Sequence, residues 1–105
     1  MKLSERNPTV HLLLDLLDQI ERELRAHCLW KEKRSHDQDE WLPLEEWIQF
    51  VMIPRDRALL RKWEIPLDYS VGSMALVDFR EVPDTIHLTE LLTAYETKVQ
   101  KNQQK

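Results

Sequence analysis

Glycine is nearly absent from this chain, and its scarcity limits the folds open to it. One residue of 105, Gly72, is a glycine. Strands joined by tight turns usually need several glycines, because such turns require positive φ angles that other residues adopt poorly. Leucine, glutamate, arginine, lysine and glutamine are abundant, and all five are good helix formers. The sequence therefore predicts an all-α fold.

Length and composition are typical of one globular domain. A chain of 105 residues hides roughly two-thirds of the surface of its unfolded form. Hydrophobic residues make up 42% of the chain and charged residues 32%, a balance unlike that of disordered or membrane-embedded proteins. We predict a single helical domain over residues 1–105, with an ordered core from about residue 8 to 101. It should be a compact bundle of four main helices plus a short helix.

Apolar spacing and prolines locate the helices. A proline inside a helical pattern kinks or restarts the helix, and we expect this at Pro54. The segment 31–40 carries no apolar residue and is predicted to be a solvated loop, and Ser70–Gly72 mark a break before the short helix. The predicted helices have these approximate ranges: 8–29, 43–53, 54–63, 74–76 and 85–101.

Charge and cysteine content narrow the partners and the compartment. The net charge of −4 argues against broad nucleic-acid binding but leaves a local basic site open. Cys28 is the only cysteine, so no internal disulfide can form and a reducing compartment fits. Asp15 and Asp18 interrupt the N-terminal apolar stretch, which is neither a signal peptide nor a membrane span. We predict a cytoplasmic protein without membrane association.

The run from Trp41 to Trp63, WLPLEEWIQFVMIPRDRALLRKW, is apolar all round before Pro54 and basic after it. An apolar turn of this kind is buried in the core or lies against a partner, so Phe50 and Ile53 are either core or interface residues. With only a modest kink, five positions are predicted to align in one outward ridge: Glu46, Phe50, Pro54, Arg57 and Arg61.

The ridge suggests how the protein could act. Aromatic and arginine side chains are enriched at protein interfaces, so we predict docking of a partner protein through the Pro54 corner. The predicted binding residues are Phe50, Arg57, Arg61 and Lys62. The alternative is that this protein is an RNA-associated accessory factor in tRNA modification, in which the segment 55–62 contacts RNA phosphates. A further alternative is that the protein forms a homodimer through apolar surface that the bundle does not bury.

Four residues are predicted to have structural roles near the corner: Glu21, Trp47, Pro54 and Arg55. Glu21 falls within the apolar stripe of the first helix, where a carboxylate is costly unless it is paired. We predict an ion pair between Glu21 and Arg55, and the alternative is a rim position with the carboxylate in water. Trp47 is predicted on the core face.

Patterns typical of enzymes and metal sites are missing from the sequence. There is no Ser/His/Asp order, no glycine-rich phosphate loop and no CxxC or HExxH spacing. Cys28 continues the apolar stripe of the first helix and is predicted to be an inert core thiol. We therefore predict a non-enzymatic protein without metal or cofactor.

Four segments together resemble a known family. They are IERELRAHCLW (20–30), EWIQFVMIPRDRALL (46–60), IPL (65–67) and SMA (73–75). In this order and spacing they resemble the YqcC-like family of small helical bacterial proteins, over about residues 9–92. The resemblance implies a helical bundle in a bacterial cytoplasm and carries over no catalytic motif. It also implies an RNA-modification setting, because members are often encoded beside a tRNA pseudouridine synthase.

Overall fold

A computed structural model describes residues 8–67, 69–80, 82 and 84–103. The α-helices are α1 (Pro8–Ala26), α2 (Leu44–Trp47), α3 (Ile53–Arg61), α4 (Val71–Asp78) and α5 (Ile86–Gln103). A π-helical segment, Ile48–Met52, joins α2 to α3 without a break, and a 3-10 turn, Asp39–Trp41, precedes α2. The predicted all-α bundle is confirmed. From the sequence, Asn7 is predicted to be the N-cap of the first helix, because asparagine is a favoured residue at that position. It lies outside the described residues.

The two long helices supply most of the core. Helix α5 packs against both α1 and α4, and α1 also packs against α3. The buried residues of these helices repeat every three or four positions, as the sequence predicted. They are Val10, Leu13, Leu17, Ile20 and Leu24 in α1, and Leu88, Leu91, Leu92, Tyr95 and Val99 in α5.

Helix α1 ends at Ala26, three residues before the predicted end. Cys28 takes a positive φ of 58°, and its N–H donates to the carbonyl of Arg25 at 3.2 Å. The Leu29 N–H donates to the carbonyl of Leu24 at 2.8 Å, which completes a Schellman motif. Cys28 is exposed, so the prediction of a core thiol is wrong, because the chain leaves the helix before the apolar stripe reaches it.

This helix end gives a first testable prediction. Glycine adopts a positive φ freely, whereas a residue with a Cβ is strained there, so Cys28→Gly should raise the free energy of unfolding by about 1 kcal/mol. Ala26→Gly, in the last turn of α1, should lower it by about the same amount. Urea denaturation of both variants measures the two effects. Effects of the same sign would contradict the Schellman assignment.

The π-helical segment explains how Pro54 fits inside a continuous helical run. Proline lacks an N–H, and its ring crowds the carbonyl four residues earlier, which here belongs to Phe50. In the wider π turn, the N–H of Ile53 donates to the carbonyl of Ile48, five residues back. The helix therefore continues through the proline instead of restarting. Ile53 is buried in the core, and Phe50 is partly buried.

The single glycine lies inside α4, where it permits close helix packing. The break before α4 is made by Ser70, which takes a positive φ of 55°. A Cβ built on Gly72 would lie 2.7 Å from the Cα of Thr93 and 2.9 Å from its Oγ1. Because contacts this short do not occur, the spacing between α4 and α5 depends on the missing side chain of Gly72.

Candidate interaction site

Arg57, a predicted binding residue, is engaged in holding α3 against α1. Its Nη2 donates to Oδ1 of Asp18 at 2.8 Å, and its Nη1 lies 2.9 Å from Oε1 of Glu21. Glu21 also accepts a hydrogen bond from Nε of Arg25 at 3.1 Å. The predicted ion pair between Glu21 and Arg55 is wrong, because Arg57, two residues and about 200° further around α3, faces α1 instead.

The predicted outward ridge does not form as one surface. Of its members, Glu46 is fully buried and Phe50 is partly buried, whereas Pro54 and Arg61 are exposed. Lys62, a predicted binding residue outside the ridge, is also exposed. The predicted ridge requires an α-helix with an uninterrupted period of 3.6 residues per turn. The π-helical segment lies between its first and last members and offsets their register, so residues before and after the segment point in different directions.

Arg55 lies among aromatic rings. Its guanidinium carbon is 4.5 Å from the ring centroid of Tyr69 and 5.8 Å from that of Trp47, within the range of cation–π contacts. Its Nε lies 3.9 Å from Oδ1 of Asp56. Trp47 is partly buried, packs against the core and meets Tyr69 edge-on at 5.4 Å. These contacts tie α3 to the segment that leads into α4.

Glu46 binds the loop between α1 and α2 through hydrogen bonds. This loop contains the segment 31–40, which was predicted to be solvated. Its carboxylate accepts hydrogen bonds from Nζ of Lys31 at 3.0 Å, from the N–H of Ser35 at 2.6 Å and from Oγ of Ser35 at 3.0 Å. Gln49 adds two bonds: the Lys31 N–H donates to its Oε1 at 2.9 Å, and its Nε2 donates to the Lys31 carbonyl at 2.6 Å. Burial opposes ionisation, but these bonds to Glu46 outweigh it and hold its pKa below the usual range.

Asp56 is a second buried carboxylate that the sequence analysis missed. It is 1% exposed, and its Oδ2 accepts a hydrogen bond from the hydroxyl of Tyr95 at 2.7 Å. Burial raises the pKa of Asp56 to about 6, against the lowering effects of Tyr95 and Arg55. Three buried atoms have no hydrogen-bond partner among the described residues: Arg55 Nη2, Asp56 Oδ1 and Glu96 Oε1. The available signal was a tyrosine in a buried stripe, because such a hydroxyl needs a polar partner.

An apolar surface lies on α4 and at the start of α5. Helix α4 has apolar residues on all sides, and its buried face packs on α5. Leu76 and Val77 on its other side are 62% and 65% exposed, and Ile86 at the start of α5 is 76% exposed. We call this the α4–α5 surface; its members are Met74, Leu76, Val77, Val82 and Ile86.

Two grooves border this surface. The α4–α5 groove has a volume of about 600 Å³, and its apolar lining is Ala75, Leu76, Phe79, Val82 and Ile86. The aromatic groove, on the side of α4 nearer the loop before α2, has a volume of about 350 Å³. Its apolar and aromatic lining is Leu42, Leu44, Trp47, Tyr69 and Met74. The arrangement can accommodate apolar side chains from another molecule.

Two further observations concern metal ions and membranes. Within the described ranges, no group of three or more histidine, cysteine, aspartate or glutamate residues could hold a metal ion. None of the helices that the structure describes is long and apolar enough to cross a membrane.

Comparison with known proteins gives a single finding. The model of the DUF446 family, described as "tRNA pseudouridine synthase C", matches residues 12–98. Curated proteins and solved structures give no significant match to the chain. The matched range contains α2, α3 and α4 in full and most of α1 and α5.

Proposed function

The chain belongs to the DUF446 family, and we propose that it is a non-enzymatic accessory protein that docks a partner protein through the α4–α5 surface. The observation that carries this proposal is the exposure of Leu76, Val77 and Ile86 beside a groove of about 600 Å³ that is partly lined by apolar residues. Contiguous apolar patches on folded proteins are typical of interaction sites. Water is released when such a patch is covered, and this release favours association.

The α4–α5 surface is a better docking site than the Pro54 corner. At the corner, Arg57 is engaged with Asp18 and Glu21, and Phe50 is partly buried. Only Pro54, Arg61 and Lys62 of the predicted set are exposed there. A partner that docked at the Pro54 corner would therefore cover little apolar surface.

The buried carboxylates support an accessory role more than a catalytic one. A raised carboxyl pKa in a cleft is a common mark of catalysis. The Asp56 carboxyl, however, is 1% exposed and is bonded to Tyr95, so a substrate would have to displace part of α5 to reach it. Glu46 is fully buried, and its bonds to Lys31 and Ser35 hold a loop in place. Both groups have positions suited to stabilising the fold.

Site-specific photo-crosslinking in cells tests the docking proposal. A photo-reactive amino acid at Val77 should crosslink to a protein partner, and Leu76→Ser/Ile86→Ser should remove that product. If the partner buries both side chains, their loss should reduce the binding free energy by about 2 kcal/mol or more, which weakens Kd about thirtyfold. The variant should keep its stability within about 0.5 kcal/mol, because both side chains are exposed.

The matched control for this experiment is Leu12→Ser, which replaces an exposed leucine on α1. It should leave the crosslinked product unchanged. A crosslink at Val77 that survives Leu76→Ser/Ile86→Ser, or that Leu12→Ser reduces equally, would contradict docking at this surface.

A second candidate function is an RNA-associated accessory role in tRNA modification, with the segment 55–62 contacting phosphates. The description of the family model supports it, as does the exposure of Arg61 and Lys62. Filter binding of tRNA between 50 and 200 mM salt tests it, because phosphate contacts release counterions and weaken as salt rises. Arg61→Glu/Lys62→Glu should abolish such binding. Absence of tRNA binding at the lowest salt would exclude this candidate.

A further inference from the structure

The two grooves beside α4 carry an excess of negative charge. Five carboxylates line them: Asp39, Glu40 and Asp78 in the aromatic groove, and Asp84 and Glu90 in the α4–α5 groove. Asp39 forms an ion pair with Arg34, but within the described parts of the chain no ion pair engages the other four. Arg80 is the one basic residue in the lining of either groove. A partner with basic groups would neutralise this excess.

Aromatic rings give the acidic groove a second attraction for cations. Trp47 and Tyr69 stand edge-on to each other in its lining, and Met74 lies beside them. Ring faces attract cations, and because the guanidinium of Arg55 already lies over one face of each ring, a cation from a partner would use their other faces. Arginine and lysine also have long apolar stems that pack well along aromatic and methionine side chains.

Helix α4 places the apolar and acidic features within reach of one ligand segment. Met74 and Asp78, four residues apart on one face, line the aromatic groove. Ala75, Leu76 and Phe79 line the α4–α5 groove. Since a helix with its side chains is about 10–12 Å wide, a segment lying across α4 would contact both grooves.

From this juxtaposition we infer that the docking segment of the partner is a basic amphipathic helix. Its apolar stripe covers Leu76, Val77 and Ile86, and an arginine or lysine enters the aromatic groove between Glu40 and Asp78. The inference rests on the proposed docking function and specifies the chemistry of the partner. Helix-in-groove recognition of this kind uses apolar anchors at helical spacing, with flanking charges that set orientation and specificity.

The same charges disfavour the other occupants of this surface. In a symmetric dimer through α4, each copy would bring its own four free carboxylates to the interface, and like charges brought together cost binding energy. Phosphates of a nucleic acid would be repelled for the same reason. A basic protein segment is the occupant that the charge favours.

Selection from a library of random 16-residue peptides displayed on phage tests the inference. The library is selected on the wild-type protein and counter-selected on Leu76→Ser/Ile86→Ser. We expect enriched peptides with apolar residues three and four positions apart and with several lysines or arginines. The best peptide should bind Glu40→Gln/Asp78→Asn about tenfold more weakly in fluorescence anisotropy. Asp15→Asn/Glu32→Gln, which neutralises two exposed carboxylates that line neither groove, should bind it like the wild type.

Each other outcome overturns the inference in a recognisable way. Enriched neutral or acidic peptides that need Leu76 and Ile86 would keep the docking surface and reject a basic partner. Basic peptides that bind Glu40→Gln/Asp78→Asn normally would show that these carboxylates are not the recognition groups. Failure to enrich any peptide would reject a helical segment as ligand, while crosslinking at Val77 would still decide the docking function. Wild-type dimers in sedimentation, absent in Leu76→Ser/Ile86→Ser, would identify a second copy as the occupant.

Discussion

Gly72→Ala is expected to destabilise the protein by about 1–3 kcal/mol, the range for an overpacked contact. The added Cβ would lie 2.7 Å from the Cα of Thr93, so α4 and α5 must move apart. The sign is informative, because the same exchange at an unhindered helical position stabilises by about 1 kcal/mol. Urea denaturation followed by circular dichroism measures the change.

Two further variants make the test of Gly72 specific. Ser73→Ala, at the next and exposed position of α4, should change the stability by less than about 0.5 kcal/mol. Adding Thr93→Ala to Gly72→Ala should restore only part of the loss, because it removes Oγ1 but leaves the closer backbone contact. A Gly72→Ala protein as stable as the wild type would mean that this contact does not set the spacing of α4 and α5.

Asp56→Asn is expected to remove a loss of stability that the wild type undergoes as the pH rises. The pKa of Asp56 is about 6 in the folded protein, against an ordinary value of 3.8, so between these values the folded state binds more protons than the unfolded state. The contribution of Asp56 is therefore fully present below about pH 4 and is lost by about pH 6. The difference amounts to about 3 kcal/mol.

The contribution of Glu46 to stability should depend on pH in the opposite direction to that of Asp56. Burial opposes the ionisation of Glu46, but the bonds from Lys31 and Ser35 together outweigh burial, so its pKa is lowered in the folded state. Its contribution is present above its ordinary pKa and is lost as the pH falls through the lowered value. Glu46→Gln should therefore reduce stability near neutral pH by about 1–3 kcal/mol and reduce the loss that occurs in acid.

Urea denaturation at pH 3, 4, 5, 6 and 7 distinguishes the two carboxylates. Relative to the wild type, Asp56→Asn should gain stability as the pH rises from about 4 to 6. The deficit of Glu46→Gln should be constant above about pH 5 and should shrink below it, because only there does the wild type lose the contribution of Glu46. Asp15→Asn replaces an exposed carboxylate and should follow the wild-type profile. An Asp56→Asn profile that superimposes on the wild type would show that Asp56 is not responsible for the loss of stability between about pH 4 and 6.

The periodic helices were predictable because their burial depends on local spacing. In α1 and α5, apolar residues three and four positions apart lie on one face of a helix whatever the rest of the chain does. The buried residues from Leu88 to Val99 therefore match the predicted stripe of α5. Those from Val10 to Leu24 match the predicted stripe of α1, except that Leu14 is only partly buried and that the helix ends before the stripe reaches Cys28. The short helix α4 was also predicted, although its range, Val71–Asp78, is longer than the three residues expected.

The candidate site and the buried carboxylates could not be read from local spacing. The buried carboxylate of Glu46 accepts hydrogen bonds from Lys31 and Ser35, which are 15 and 11 residues away in the sequence. The buried carboxylate of Asp56 accepts one from Tyr95, which is 39 residues away. The π-helical segment further changed the register on which the ridge around Pro54 depended.

The sequence by itself determined the all-α class, the long helices and the apolar character of α4, because helix propensity and periodicity act between near neighbours. Only the tertiary structure decided which side of α4 is covered. Gly72 allows one face to approach Thr93 on α5, and Leu76 and Val77 are left on the surface. A helix with apolar residues on every side has no strongly preferred buried face of its own, so the contact that α4 makes with α5 selects the face that remains free for a partner.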